Sequence, residues 1–166
     1  QVQYLFGFWI VDETQPSRYI SFVAERPEDE GQMWQEFLTW LKTLPPNHYQ
    51  VYHFADYERS RSLGMAKQYG GLDIVQPFVD RFIDLCEVVQ QSIIFPLYFY
   101  SIKDIAKSKF LKYTWRHPKA GGAQSIFWYE KWLETGDRQI LQDIMNYNED
   151  DVIATEYLHN WLNQSF

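Results

Sequence analysis

The sequence predicts an α/β fold with a mixed sheet flanked by helices, and three observations predict it. The chain begins with two apolar, strand-like stretches and then alternates helix, strand and helix before a run of helices. The first two stretches, residues 4–11 and 19–24, are separated by the polar segment 12–17, the pattern of a hairpin. The next strand-like stretch, 49–54, arrives after a helix, so it is free to pair in parallel. It ends on acids at the start of another helix, a common place for chemistry on an α/β sheet.

The chain has 166 residues, enough for one domain with a real core, expected to span 1–166. Hydrophobic residues make up 46% and aromatic residues 19%, which excludes a disordered chain. Its one cysteine, Cys86, excludes an internal disulfide and fits a reducing, cytoplasmic compartment. No apolar run approaches the roughly 20 residues of a membrane span. Gln1 is not a natural start, so the chain reads as a piece of a larger multidomain protein. The net charge of −7 argues against a protein that coats DNA nonspecifically. It does not argue against a nuclease whose acids hold cations that meet the phosphates.

Taken in order, 4–11 is continuously apolar and reads as a strand buried on both faces, with Gly7 permitting a close approach. Residues 29–44 form a helix whose apolar face is Met33, Trp34, Phe37, Leu38, Leu41 and Leu44, stopped by Pro45-Pro46. After the strand at 49–54, a helix runs to about Tyr69. At its start, Asp56 is either an N-cap or an acid of the site, and Glu58 either complements the helix dipole or belongs to the site. His53, on the strand, reads as a hydrogen-bonded core histidine. Gly70-Gly71 breaks the chain, and 73–94 is apolar and helical in part, with Asp84 a cap or a supporting acid. Residues 95–100 look extended, and 101–109 helical. Lys103, unfavourable in a first turn, either pairs with a core acid or meets a phosphate. The segment 111–123 is irregular and basic, carrying Trp115, Arg116, His117 and Lys119; it reads as an ordinary surface loop or as a strand-contacting loop with a stacking ring. Residues 125–135 form a helix with Ile126, Tyr129, Trp132 and Leu133 inward. Gly136 suits the residue after that helix, and Asp137 the N-cap of the last.

The last helix, 139–162, has no Pro or Gly. Ile140, Ile144, Tyr147, Asp151, Ala154, Leu158 and Trp161 recur along it at spacings of three and four, which is one stripe. Asp151 is the acid in that stripe, one turn beyond a tyrosine. A charge on a buried face costs several kcal/mol or more unless compensated. Either Asp151 pairs with a cation or lies at the stripe's edge, or it ligates a metal with the Tyr147 hydroxyl nearby to orient a water. Asp150 flanks the stripe in this reading, and Glu156 is solvated opposite it.

The segments Tyr4-Leu5-Phe6-Gly7, Tyr52-His53-Phe54-Ala55-Asp56-Tyr57-Glu58, Phe82-Ile83-Asp84-Leu85, Tyr100-Ser101-Ile102-Lys103, Ser125-Ile126 with the run from Tyr129 to Asp137, and Tyr147-Asn148-Glu149-Asp150-Asp151, in this order, resemble an RNase H-like exonuclease domain of the DEDDy type. More closely, they resemble the predicted RNase H-like domain found beside RecB-like nuclease domains, sometimes with a helicase. The resemblance implies that Tyr147 and Asp151 are the last motif, a tyrosine followed four residues later by an aspartate. It implies Glu58 as the middle-motif metal ligand, with Asp56 as the fallback. It implies two Mg²⁺ or Mn²⁺ ions and 3′-to-5′ removal of nucleotides, with DNA ahead of RNA as substrate. Lys103, Trp115, Arg116, His117 and Lys119 are the candidate nucleic-acid contacts. The family's first motif, an Asp-x-Glu pair on the first central strand, is not present. Only three residues precede Tyr4, and none is acidic; Asp12-Glu13 are adjacent and would point to opposite faces of a strand. The first strand is therefore expected to be missing from the chain and its site incomplete. The rival reading is a degenerate RNase H-like module that binds nucleic acid or docks a neighbouring nuclease or helicase domain. A metal-independent hydrolase finds no support, because Ser101, Ser125 and Cys86 have no paired His and acid at suggestive positions.

Overall fold

The computed structural model describes residues 2–92, 97, 101–117 and 122–165, the side chains of Gly122 and Ala123 excepted. The expected extended segment 95–100 falls almost wholly outside them. The described chain is α/β: a small, mixed set of four strands flanked by helices. It divides into two compact units. One comprises Gln1–Leu5 with Phe22–Ser101, the other Phe6–Ser21 with Ile102–Phe166.

The hairpin forms as expected. Strand β1 (Leu5–Ile10) pairs with β2 (Arg18–Val23). Its turn is held by Asp12, whose Oδ1 accepts the N–H groups of Thr14 and Gln15, both at 2.9 Å, and the Thr14 hydroxyl at 2.7 Å. The Thr14 hydroxyl, the Arg18 guanidinium and these backbone bonds hold the Asp12 carboxyl down at about 2. Strand β1 is half-buried at every position, not buried on both faces as its composition suggested. Being apolar selects a strand; how many faces it covers depends on what the rest of the chain lays against it.

In the first unit, a 3₁₀ turn (Pro27–Asp29) leads into helix α1 (Glu30–Leu41). Met33, Trp34, Phe37, Leu38 and Leu41 are buried, as their spacing predicts. The helix ends three residues earlier than expected. Thr43 and Leu44 donate to the carbonyls of Trp40 and Leu41, a tightened turn that suits a residue preceding proline. Strand β3 (Val51–His53) follows, then helix α2 (Tyr57–Tyr69) and helix α3 (Leu72–Val79). The predicted half-helical stretch after Gly71 contains a strand, β4 (Phe82–Asp84), before helix α4 (Leu85–Ser92). It pairs in parallel with β3, in register Val51 with Phe82 and His53 with Asp84. Periodicity over three residues cannot distinguish strand from helix, so pairing with β3 decides it. Aromatic rings close the core: Phe37 meets Trp34 at a tilt at 5.2 Å and Phe78 edge-on at 5.7 Å, and Phe78 meets Phe82 edge-on at 5.1 Å.

The second unit packs helix α5 (Ile102–Lys107) and helix α6 (Gly122–Thr135) against helix α7 (Arg138–Ser165). Helix α6 begins ahead of the expected Ser125. Tyr129 and Trp132 are buried, but Ile126 and Leu133 are exposed, a correction to the predicted inward face. Gly136 ends α6 at φ +65°, where a side chain is strained, and its N–H bonds the Trp132 carbonyl at 2.8 Å. Asp137 caps α7 as predicted, its Oδ1 accepting the Gln139 N–H at 3.0 Å. Gly7 serves the expected close approach: a Cβ there would lie 1.7 Å from Asn148 Oδ1, the atom that accepts the Tyr19 hydroxyl at 2.7 Å.

Candidate functional site

The carboxylates singled out by the sequence fall in different units. In the second unit, α7 carries Tyr147 and Asp151 one turn apart. The Tyr147 ring is buried among Ala106, Trp115 and Ala154, with Trp128 meeting it edge-on at 6.3 Å. Lys103, in the first turn of α5, places its ammonium 4.9 Å from the Tyr147 ring centroid and 5.8 Å from that of Trp115. The Trp115 indole N–H donates to Asp151 Oδ1 at 2.8 Å. Asp151 thus has a neutral donor and a nearby cation as compensation. Burial pushes the Lys103 ammonium down, and neighbouring Lys107 adds to this, although Asp151 opposes both. Burial, helped by Asp151, pushes the Tyr147 hydroxyl well above the ordinary tyrosine range, so Tyr147 is a protonated donor at neutral pH. No hydrogen bond engages that hydroxyl among the described residues.

The more buried acid is its neighbour. Asp150 is 3% exposed, Asp151 only half-buried. Asp150 accepts the Tyr113 hydroxyl at 2.7 Å, the Arg116 backbone N–H at 3.0 Å and Arg116 Nε at 3.2 Å. Burial and the bond to Asp150 raise the Tyr113 hydroxyl above its ordinary range. Arg116 also reaches Glu149 at 3.3 Å and the Asn146 carbonyl at 2.9 Å. A stripe through Leu141, Ile144, Tyr147, Asp150, Ala154, Leu158 and Leu162 has the same three-and-four spacing as the one drawn through Asp151, and this is the set the fold buries. The signal was present in the sequence, but the spacing permits both stripes.

The predicted contact loop is correspondingly less available. Trp115 is 2% exposed and offers no face to a base, which corrects the expectation of an exposed stacking ring. The Arg116 guanidinium is engaged by acids of α7. His117 Nε2 lies 3.5 Å from Asp143, with its ring edge on Trp128 at 5.5 Å. Lys119 lies outside the described residues.

In the first unit, β3 ends in a tight turn where Ala55 adopts φ +71°, an unfavourable conformation for a residue with a side chain. Asp84 holds that turn: its Oδ1 accepts the Ala55 N–H at 2.8 Å and also caps α4 through the Cys86 N–H at 2.9 Å. The His53 imidazole is buried and its Nδ1 bonds the Ala55 carbonyl at 2.6 Å, the satisfied core histidine expected. Asp56 occupies the N-cap position of α2 without a side-chain cap bond to the helix. Glu58 is exposed, its Oε2 3.7 Å from His53 Nδ1. Burial acts to lower the His53 pKa, but Glu58, the Ala55 carbonyl and Asp84 outweigh it and the net shift is upward. A raised folded-state pKa stabilises the charged form. The contribution is therefore complete below pH about 6.5 and is lost as pH rises through the higher folded value. Because Glu58 is exposed, we predict an effect under about 1 kcal/mol. Urea midpoints of wild type should fall between about pH 6 and 8 relative to those of Glu58→Gln. Parallel curves for the two proteins would show that the pair contributes nothing.

Among the described residues, no group of three or more His, Cys, Asp or Glu is placed to hold a metal ion. Mg²⁺ keeps most of its waters and asks for several convergent oxygens. The carboxylates of neither unit fit a two-ion site by themselves.

An α/β chain with a small mixed strand set flanked by helices is consistent with RNase H-like architecture. The chain belongs to the RNase H superfamily, whose family profile matches residues 1–163. Neither a curated protein nor a solved structure matches the chain. Among the described residues, no helix is long and apolar enough to cross a membrane.

Proposed function

We propose that the chain is a nuclease-type RNase H-like domain acting on nucleic acid, of the DEDDy 3′-to-5′ exonuclease kind, and that it is catalytically incomplete by itself. The observation that carries this reading is the pair on α7: an acid one turn from a phenol that stays protonated and has no hydrogen-bond partner among the described residues. In this reading the Tyr147 hydroxyl orients the attacking water. Asp151 and Glu58, with Asp56 as the fallback, are the ligands this chain contributes toward two Mg²⁺ or Mn²⁺ ions. Such ions activate water and stabilise the leaving oxygen. Two isolated acids do not make that site, and no metal-dependent step is assigned to the chain alone. DNA is the preferred substrate, a RecB-like nuclease and a helicase domain the expected covalent neighbours, and the cytoplasm the expected compartment.

The specific observation favouring the rival module is the lack of a metal-holding group among the described residues. Mn²⁺ titration by calorimetry separates the two, using the chain, a longer form of the same protein, and Asp151→Asn in each. We predict no tight binding and negligible nuclease turnover by the chain alone. Two ions bound by the longer form, and weakened by Asp151→Asn, support the exonuclease. No metal bound by either form supports the module. Robust turnover by the chain alone, abolished in Asp151→Asn, refutes its incompleteness.

A further inference from the structure

The chain carries 22 acidic against 15 basic residues, yet Lys103, Lys107, Lys109 and Lys112 fall within ten positions containing a single acid, Asp104. The fold gathers three of them. After α5, Lys112 adopts a left-handed φ of +58°, which turns the chain back so that the Tyr113 N–H bonds the Ala106 carbonyl at 2.7 Å. That reversal brings Lys107, Ser108 and Lys109 around an open hollow of about 440 Å³ with Lys112, Tyr113 and Thr114. Lys107 has a helical reason to be there, since a cation in the last turn complements the helix dipole. Lys109 and Lys112 lie beyond the helix and have none. Among the described residues, no acid forms an ion pair with either. Three lysines lining one hollow make it a place that favours a bound anion.

Aromatic rings accompany the charge. Phe110, between the lysines, is 40% exposed; Trp161 backs its ring at 6.1 Å, and the Lys109 ammonium lies 5.3 Å from its centroid. Tyr157, 45% exposed, packs edge-on against Tyr113 of the hollow at 4.8 Å. Cations that track a backbone, interleaved with rings that offer a face to a base, are the requirements of single-strand binding. One residue of the hollow lies near the Tyr147–Asp151 pair: Lys107 is one turn from Lys103 on α5, and each ammonium is 5.8 Å from the Trp115 ring.

We propose that the hollow of Lys107, Ser108, Lys109, Lys112 and Thr114, with Phe110 beside it, is a phosphate-binding site for a single-stranded nucleic acid. It takes over the contact role that the sequence placed on Trp115 and Arg116. The proposal rests on the nucleic-acid reading above and names where the strand is held.

Fluorescence anisotropy with a labelled oligothymidylate over a range of salt tests it, on the whole chain. Lys109→Ala/Lys112→Ala should weaken binding about tenfold and reduce the magnitude of the salt slope by about 1.4, for two lost contacts on a single strand. Lys42→Ala/Lys67→Ala removes the same charge from exposed positions elsewhere and should leave both unchanged. Phe110→Ala should weaken the oligonucleotide but not heparin, which has no bases. Equal affinity of the Lys109/Lys112 variant and wild type overturns the proposal, as does equal weakening by the two lysine pairs. Equal loss of heparin and oligonucleotide in Phe110→Ala also overturns it, leaving a general polyanion site. A wild type that binds no oligonucleotide overturns it as well, whereas the catalytic reading is judged separately by the Mn²⁺ titration. The substituted lysines are all exposed, so thermal melts of the lysine variants should match wild type.

Discussion

Asp150→Ala should destabilise the second unit by about 3 kcal/mol, the low end of the range for breaking a buried charged pair. The carboxylate is 3% exposed and accepts three hydrogen bonds, one from the Tyr113 hydroxyl and two from Arg116. Truncation leaves a half-buried phenol and a backbone N–H without acceptors, each costing up to about 1–3 kcal/mol. Arg116 itself is partly exposed and recovers water, which keeps the total from reaching the upper end. Asp150→Asn keeps an acceptor and should lose less than half as much. Urea unfolding followed by tryptophan fluorescence reads both. An alanine variant within about 0.5 kcal/mol of wild type, the usual range for surface changes, would mean that this carboxylate does not hold the 113–116 segment to α7.

Trp115→Ala is expected to cost about 3–5 kcal/mol, the range for deleting a buried tryptophan. Its indole is 2% exposed and lies in a cluster with Ala106, Tyr147 and Ala154. Trp115→Phe separates packing from hydrogen bonding. It keeps most of the ring volume and loses the N–H that reaches Asp151 at 2.8 Å, a difference of about 1–3 kcal/mol because the acceptor is charged. The two substitutions also address function. If the indole orients Asp151, Trp115→Phe should change Mn²⁺ affinity in any form that binds the ion while leaving the fold intact. If it only fills space, metal binding should follow stability alone.

Much of the local structure was legible in the sequence. The α1 face, the Asp12 turn, the Gly136–Asp137 junction and the helical character of α7 follow from spacing, capping and turn chemistry, which act over a few residues. So did the two roles offered for Asp84, of which the cap is realised, because a short acid after a strand and before a helix has few options. The sequence alone also determined the fold class, which the order of apolar stretches and helical runs reports directly.

Tertiary structure decided what adjacency in sequence leaves open. Asp150 and Asp151 are consecutive on a helix of 3.6 residues per turn, so both border the same stripe, and only the packing of the 113–116 segment determines which one is buried. Trp115, Arg116 and His117 read as a basic loop, since charge and aromaticity do not say whether a segment faces water. The acids of α7 draw Arg116 onto the helix, and Trp115 goes inward with it. The three-residue strand β4 carries too little pattern to be seen without its partner β3. The lysine hollow has the same origin: Lys107, Lys109 and Lys112 are neighbours in sequence, but the left-handed turn at Lys112 is what lets them line one hollow.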